Sequence, residues 1–146
     1  MINWNRRFMA VAELVASWSK DRSRQCGCVV VGPDREIRST GYNGFPRGVN
    51  DDEEDRHHRP VKYLWTEHAE RNAVYNAARM GLSLKDCTIY VSWYPCADCA
   101  RAIIQSGIRT VVCKEPDWDD QIWKADFAVT KVMLAEGGAT TTFLLP

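Results

Sequence analysis

The sequence has 146 residues, enough for one domain with a hydrophobic core and too few for two ordinary ones, so residues 1–146 are read as a single domain. Nineteen basic and nineteen acidic residues give a formal net charge of zero, which weighs against a nucleic-acid binder and a polynucleotide substrate. Glu13 interrupts the apolar run of MINWNRRFMAVAELVASW and no small-residue cleavage site follows, so neither a signal peptide nor a membrane span is predicted, and the six cysteines read as thiols or metal ligands of a cytoplasmic protein.

In chain order, Phe8, Val11, Ala12, Val15 and Trp18 keep the i, i+3, i+4, i+7 spacing of an amphipathic helix that ends near SKDRS and covers one face of a sheet. CGCVVVG (26–32) is a nearly continuous β-branched run, PD is a turn, and REIRSTGY alternates, which predicts an antiparallel hairpin. Residues 43–66 form a long connection with NGFPRG and the charged run DDEEDRHHR, and a connection of that length in a small domain points to function. There follow a helix over 67–80 stopped by Gly81, the strand CTIYVSW, a helix over 96–106 stopped by Gly107, the strand RTVVC, a helix over about 120–136 stopped by Gly137 and Gly138, and the strand TTTFLL. A hairpin followed by β/α alternation predicts a three-layer α/β/α sandwich, with a five-stranded mixed sheet and helices on both faces. Ala69, Ala73 and Ala77 lie four apart and form a ridge of small side chains that lets their helix approach the sheet closely.

The chemistry-bearing residues fall at two predicted helix starts. In YPCADCA, Cys96 and Cys99 are three apart, which puts both sulfurs on one helix face, and Pro95 suits the position before the first turn. The partial positive charge of a helix amino terminus favours thiolate, the form that binds metal. Alone, a C-x-x-C pair is also a redox pair or two buried thiols. With His68 it makes three nitrogen and sulfur ligands, leaving one tetrahedral position of a zinc ion open, the pattern of a catalytic site. Closure by Cys26, Cys28, Cys87 or Cys113 stays open on spacing alone. Glu70, two residues after His68, is the candidate proton carrier for a metal-activated water, although residues i and i+2 within a helix do not share a face.

HAE at 68–70 and PCADC at 95–99 match the H-x-E and P-C-x-x-C signature of zinc nucleobase deaminases. Together with SKDRSRQCGCVVV, STGYNGFPRG and YVSWYPCADCARAIIQSGI, they make residues 19 to 113 resemble the deoxycytidylate (dCMP) deaminases of the cytidine deaminase superfamily. That resemblance implies a cytidine deaminase-like fold and zinc-dependent hydrolysis of dCMP to dUMP. The same chemistry on dCTP, on a free nucleoside or on a pterin- or riboflavin-pathway pyrimidine is the alternative within enzymes, and a non-catalytic zinc module is the alternative outside them.

The resemblance further implies Zn2+ on His68, Cys96 and Cys99, with Glu70 catalytic. Asn43 would be at the sugar, Ser23 and Arg24 at the phosphate, and Ala69, Tyr94 and Pro95 around the base. It implies a homo-oligomer, dimer or hexamer, with dCTP and dTTP as effectors near Gly44 and Arg47. The sequence departs from the family where Cys26 and Cys28 replace the usual Val and Ala, and these two are assigned to packing. The 43–66 connection is short beside relatives that hold a second structural zinc there, leaving His57 and His58 as its only histidines. Trp118 stands where several relatives have a tyrosine near the substrate phosphate. A triphosphate substrate would bring Mg2+, for which the acidic run Asp51–Asp55 is the candidate.

Overall fold

The computed structural model describes residues 1–146. Helix α1, Trp4–Ala16, starts at the N-cap Asn3, whose side chain accepts the Arg6 N–H at 3.2 Å. It buries Phe8, Met9, Ala12, Val15 and Ala16 and leaves Val11 half-buried. Trp18 lies beyond the helix end, 53% exposed, with its ring edge-on to Tyr42, so the predicted stripe overran the helix by two residues.

Strands β1, Gly27–Val31, and β2, Ile37–Tyr42, form the expected antiparallel hairpin. Helix α2, Lys62–Trp65, is short, and α3 spans Ala69–Met80. Strand β3, Thr88–Val91, helix α4, Ala97–Gln105, strand β4, Thr110–Lys114, helix α5, Lys124–Glu136, and strand β5, Thr140–Leu144, complete the chain. Strand order is β2-β1-β3-β4-β5, antiparallel across β2-β1-β3 and parallel across β3-β4-β5, which is the predicted five-stranded mixed sheet.

Both faces of the central strands are covered, which explains their continuous apolar runs. Cys28, Val30, Ile89, Val91, Val111 and Cys113 point toward α3, α4 and α5, while Val29, Val31, Tyr90 and Val112 point toward Phe8, Met9 and Ala12 of α1. A single helix therefore covers one face and three share the other.

The 43–66 connection is more ordered than its composition suggests. An antiparallel bridge between Gly44 and Glu67 closes its ends, a 3-10 turn spans Glu54–His57, and Phe45 stacks on His57 and Trp65. Asp51 pairs with Lys20, and Glu54 faces both Arg22 and His58.

The alanine ridge sets the height of α3. Ala69, Ala73 and Ala77 are buried, and Ser39 Oγ donates to the Ala73 carbonyl at 2.6 Å. A Cβ on Gly41 of β2 would lie 2.2 Å from the Ala69 oxygen and 2.5 Å from the Ala73 nitrogen, both backbone atoms without room to yield. Gly41→Ala is expected to lower unfolding free energy by about 1–3 kcal/mol through overpacking. Gly44→Ala, whose Cβ meets only the Tyr42 ring at 3.9 Å, should shift it little; urea unfolding of the two variants checks the contrast.

Candidate active site

The site forms where the amino termini of α3 and α4 converge beyond the carboxyl end of β3, next to the reversal of strand order between β1 and β3, the usual place for a ligand in an open α/β sheet. His68 is the N-cap residue of α3 and Cys96 that of α4; both have extended backbone, and neither side chain makes a capping bond. The i, i+2 objection to His68 and Glu70 therefore disappears, because His68 stands outside the helix whose second residue is Glu70.

His68 Nδ1 lies 3.4 Å from Cys96 Sγ and 3.4 Å from Cys99 Sγ, and the three donor atoms lie within 4.8 Å of one another. Tetrahedral zinc with Zn–S of about 2.3 Å and Zn–N of about 2.0 Å requires N···S separations of about 3.5 Å, so this donor set fits the ion. Hydrogen bonding from the Cys99 thiol, and then from His68, draws the Cys96 thiol well below its ordinary range. The other four cysteines stand outside this group. Cys28 donates to the Ala69 carbonyl at 3.2 Å, and burial holds its thiol well above the ordinary value, so it remains a neutral packing residue. Burial and then Glu70 push the Cys26 thiol up to about 12.

Glu70 is 5% exposed, and burial is the largest influence on it, raising its carboxyl above the usual carboxylate range. A carboxyl with a raised proton affinity holds a proton more readily than an exposed one, a property suited to proton transfer. It shares with His68, Ala69, Tyr94 and Cys96 a cleft of about 660 Å³ that opens to solvent.

Asn43 lines that cleft from the end of β2, its Oδ1 accepting the Cys26 N–H at 2.8 Å and its Nδ2 donating to the Arg24 carbonyl at 2.9 Å. Arg24 lies in the loop between α1 and β1, eight residues past the helix end rather than at it, and its guanidinium carbon sits 3.5 Å from the Trp93 ring centroid. Ser23 is exposed and contributes its N–H to Asp21 at 2.8 Å. Pro95 is buried, its carbonyl accepting Thr130 Oγ1 at 2.9 Å. Trp118 stands outside the cleft lining, edge-on to Tyr94, with its indole N–H donated to Glu115 at 3.0 Å. Gly44 and Arg47 flank a separate shallow depression on the β2 and α3 side, where Arg47 bonds Asn76 at 2.6 Å.

Several cleft residues escaped the sequence reading. Trp123, the N-cap of α5, lies edge-on to His68; the signal for it was Asp120, whose side chain accepts the Ile122 and Trp123 N–H groups at 2.9 Å and starts the helix four residues later than predicted. Lys62, Tyr63 and Arg59 come from the long connection, and Asp21 from the loop before β1. No local pattern marks them.

Comparison with known proteins identifies relatives and a family. A deaminase encoded in the luxG 3′ region of Aliivibrio fischeri is 44% identical over 142 residues, 97% of this chain and 93% of that protein. Human deoxycytidylate deaminase is 37% identical over 124 residues, 82% of this chain and 68% of that one. The dCMP deaminase of cyanophage S-TIM5, crystallised with dCMP and dUMP, shares the fold at a TM-score of 0.79, covering 99% of this chain and 100% of that chain at 23% identity. A family model described as the cytidine and deoxycytidylate deaminase zinc-binding region matches residues 2–115, which include every member of the His68, Cys96, Cys99 and Glu70 constellation, and the chain belongs to that family.

Proposed function

We propose that this chain is a hydrolase that converts dCMP and water to dUMP and ammonia, as a single domain over residues 1–146. The observation that carries the reading is one cleft lined by the zinc donors His68 and Cys96, by buried Glu70 and by Arg24, in a chain whose named relatives include deoxycytidylate deaminases.

His68, Cys96 and Cys99 would hold the zinc ion, which when bound would supply a Lewis acid that lowers the pKa of water toward neutrality. Glu70 accepts a proton from the attacking water and passes it to the ring nitrogen N3, so that C4 becomes electrophilic. It then takes the second proton, from the hydroxyl now on C4, and delivers it to the departing amine, so that the water oxygen remains on C4 as the carbonyl of uracil. Burial serves the first transfer, because a carboxylate with a raised proton affinity takes a proton from water more readily than an exposed one. Tyr94, Ala69 and the backbone before Pro95 form the wall around the base, Asn43 meets the sugar, and Arg24 with Ser23 meets the phosphate.

The same reading extends to assembly and regulation. A homo-oligomer, dimer or hexamer, is supported by the exposed apolar side chains Ile37, Tyr42, Tyr75 and Met80 along β2 and α3. dCTP and dTTP as effectors would use the depression at Gly44 and Arg47, and Mg2+ would arrive only with such a triphosphate. No helix is long and apolar enough to cross a membrane, and six unpaired cysteines fit a reducing compartment such as the cytoplasm.

Three outcomes are expected. Glu70→Ala should lower turnover by about 10²–10⁴-fold or more, because the shuttle is lost, while metal analysis still finds about one zinc per chain. Cys96→Ala or Cys99→Ala should lose the metal and melt at lower temperature, whereas Cys28→Ala keeps its zinc; a zinc-replete Cys99 variant would remove the C-x-x-C pair from the centre. Assays across cytidine, deoxycytidine, CMP, dCMP and dCTP, with and without dCTP or dTTP as effector, should show dCMP preferred. Arg24→Ala should then cut the ratio of kcat/KM for dCMP over deoxycytidine by roughly tenfold to a few hundredfold, the worth of a hydrogen bond to a charged group. Equal efficiency on deoxycytidine and dCMP in the native enzyme rejects the nucleotide assignment, and a preference for dCTP replaces the substrate while keeping the chemistry.

A further inference from the structure

The wall of the cleft contains an ion pair that the proton transfers do not use. Lys62 Nζ on α2 lies 3.2 Å from both carboxylate oxygens of Asp21, and each side chain is only 9% exposed. Asp21 Oδ1 also accepts the N–H groups of Ser23 at 2.8 Å and Arg24 at 3.0 Å, so the chain from Asp21 to Arg24 winds around one oxygen atom. Asn43 holds the Arg24 carbonyl from the other side at 2.9 Å. Arg24 is thus fixed at both its backbone N–H and its C=O, and its guanidinium rests on the Trp93 face. Asp21, Arg24, Asn43 and Lys62 all line the cleft.

Burial of Asp21 raises its proton affinity, but the N–H groups of Arg24 and Ser23 and the Lys62 ammonium outweigh it, so the carboxylate stays ionised. An ionised carboxylate facing a cleft that receives a phosphate would repel it. Lys62 cancels that charge. Buried ion pairs add little net stability over an apolar pair of the same size, because desolvation offsets the attraction, so stability alone gives no reason for one here.

We infer that Asp21 and Lys62 are positioning residues for the phosphate end of the substrate: Asp21 shapes the turn that presents Arg24, and Lys62 neutralises Asp21 so that the turn can sit beside an anion. The inference rests on the reading of dCMP as substrate. A direct phosphate ligand at Lys62 makes the opposite demand on Asp21, since the carboxylate would then compete with the phosphate for the ammonium.

The experiment is a double-mutant cycle on the full-length zinc enzyme with dCMP and deoxycytidine as substrates. Asp21→Ala is expected to raise KM for dCMP about tenfold and to lower the dCMP to deoxycytidine ratio of kcat/KM by the same factor, with kcat little changed. Asp21→Asn keeps the acceptor for the turn and should retain most of that ratio, which separates positioning from loss of fold. Lys62→Met should also lower the ratio, and the double variant Asp21→Ala/Lys62→Met should do no worse than the poorer single one, because both act through one turn. Tighter dCMP binding in Asp21→Ala, strictly additive losses, or equal losses on both substrates in Asp21→Ala and Asp21→Asn alike would each overturn the proposal. A native enzyme with no preference for dCMP would reject the substrate reading and this inference together, whereas a native preference that survives Asp21→Ala rejects this inference alone.

Discussion

Two helix amino termini meet at one point in this fold, and most of the remaining architecture serves that meeting. Each end carries roughly half a positive charge from its unpaired N–H groups, so α3 and α4 repel one another unless negative charge stands between them. Acidic groups supply it. Glu67 accepts the His68 N–H at 3.0 Å, Asp126 of α5 accepts the Ala97 N–H at 3.1 Å, and Arg71 of α3 reaches Asp98 of α4 at 3.2 Å while also pairing with Glu67. Capping by Glu67 and Asp126 has a second effect. It leaves the residues in the N-cap positions, His68 and Cys96, free to turn their side chains toward each other, where a metal ion can complete the neutralisation.

That arrangement also explains why the sheet side of α3 is built from alanine and glycine. Glu70 must be dry to bind a proton more tightly than an exposed carboxylate, and an acidic group in the first turn of α3 is dry only if the helix end is pressed into the molecule. Ala69 and Ala73 against Gly41 allow that approach, and Cys28 fills the remaining space while bonding the Ala69 carbonyl. A larger residue in this layer would lift the helix and bring water to the carboxyl. The small residues of β2 and α3 are thus as much a part of the chemistry as the donors themselves.

What was legible in the sequence follows the range of the interactions involved. All five strands and their order of appearance came from local apolar runs and turn residues, and the donor triad with Glu70 came from spacings of two and three residues at helix starts. Boundaries were poorer: Trp18 continued a helical stripe but falls past Ser17, and Asp120 was placed inside α5 where it instead caps its start. The connection over 43–66 was opaque, because its order comes from Phe45 stacking across to His57 and Trp65 and from Lys20 and Arg22 reaching back to its acids. Lys62 is the clearest case. It sits between Val61 and Tyr63 with no motif around it, and its partner Asp21 lies 41 residues away.

Two parts of the cleft lining obey different electrostatics. Around Glu70 the groups are buried, proton affinities are displaced, and small shifts in position change the energetics of proton transfer directly. Around Arg24 the surroundings are half-wet, and an exposed cation held to a partner by solvent-screened attraction contributes little unless it is fixed in place and left unpaired. The Trp93 face meets both conditions. It immobilises the guanidinium through cation–π contact without a carboxylate to consume its charge, so Arg24 keeps its hydrogen-bond donors for an anion. Lys62, in the same wall, is spent on Asp21. Of two cations 38 positions apart in the sequence, the exposed one therefore keeps its donors unpaired, and the buried one is held in an ion pair with Asp21.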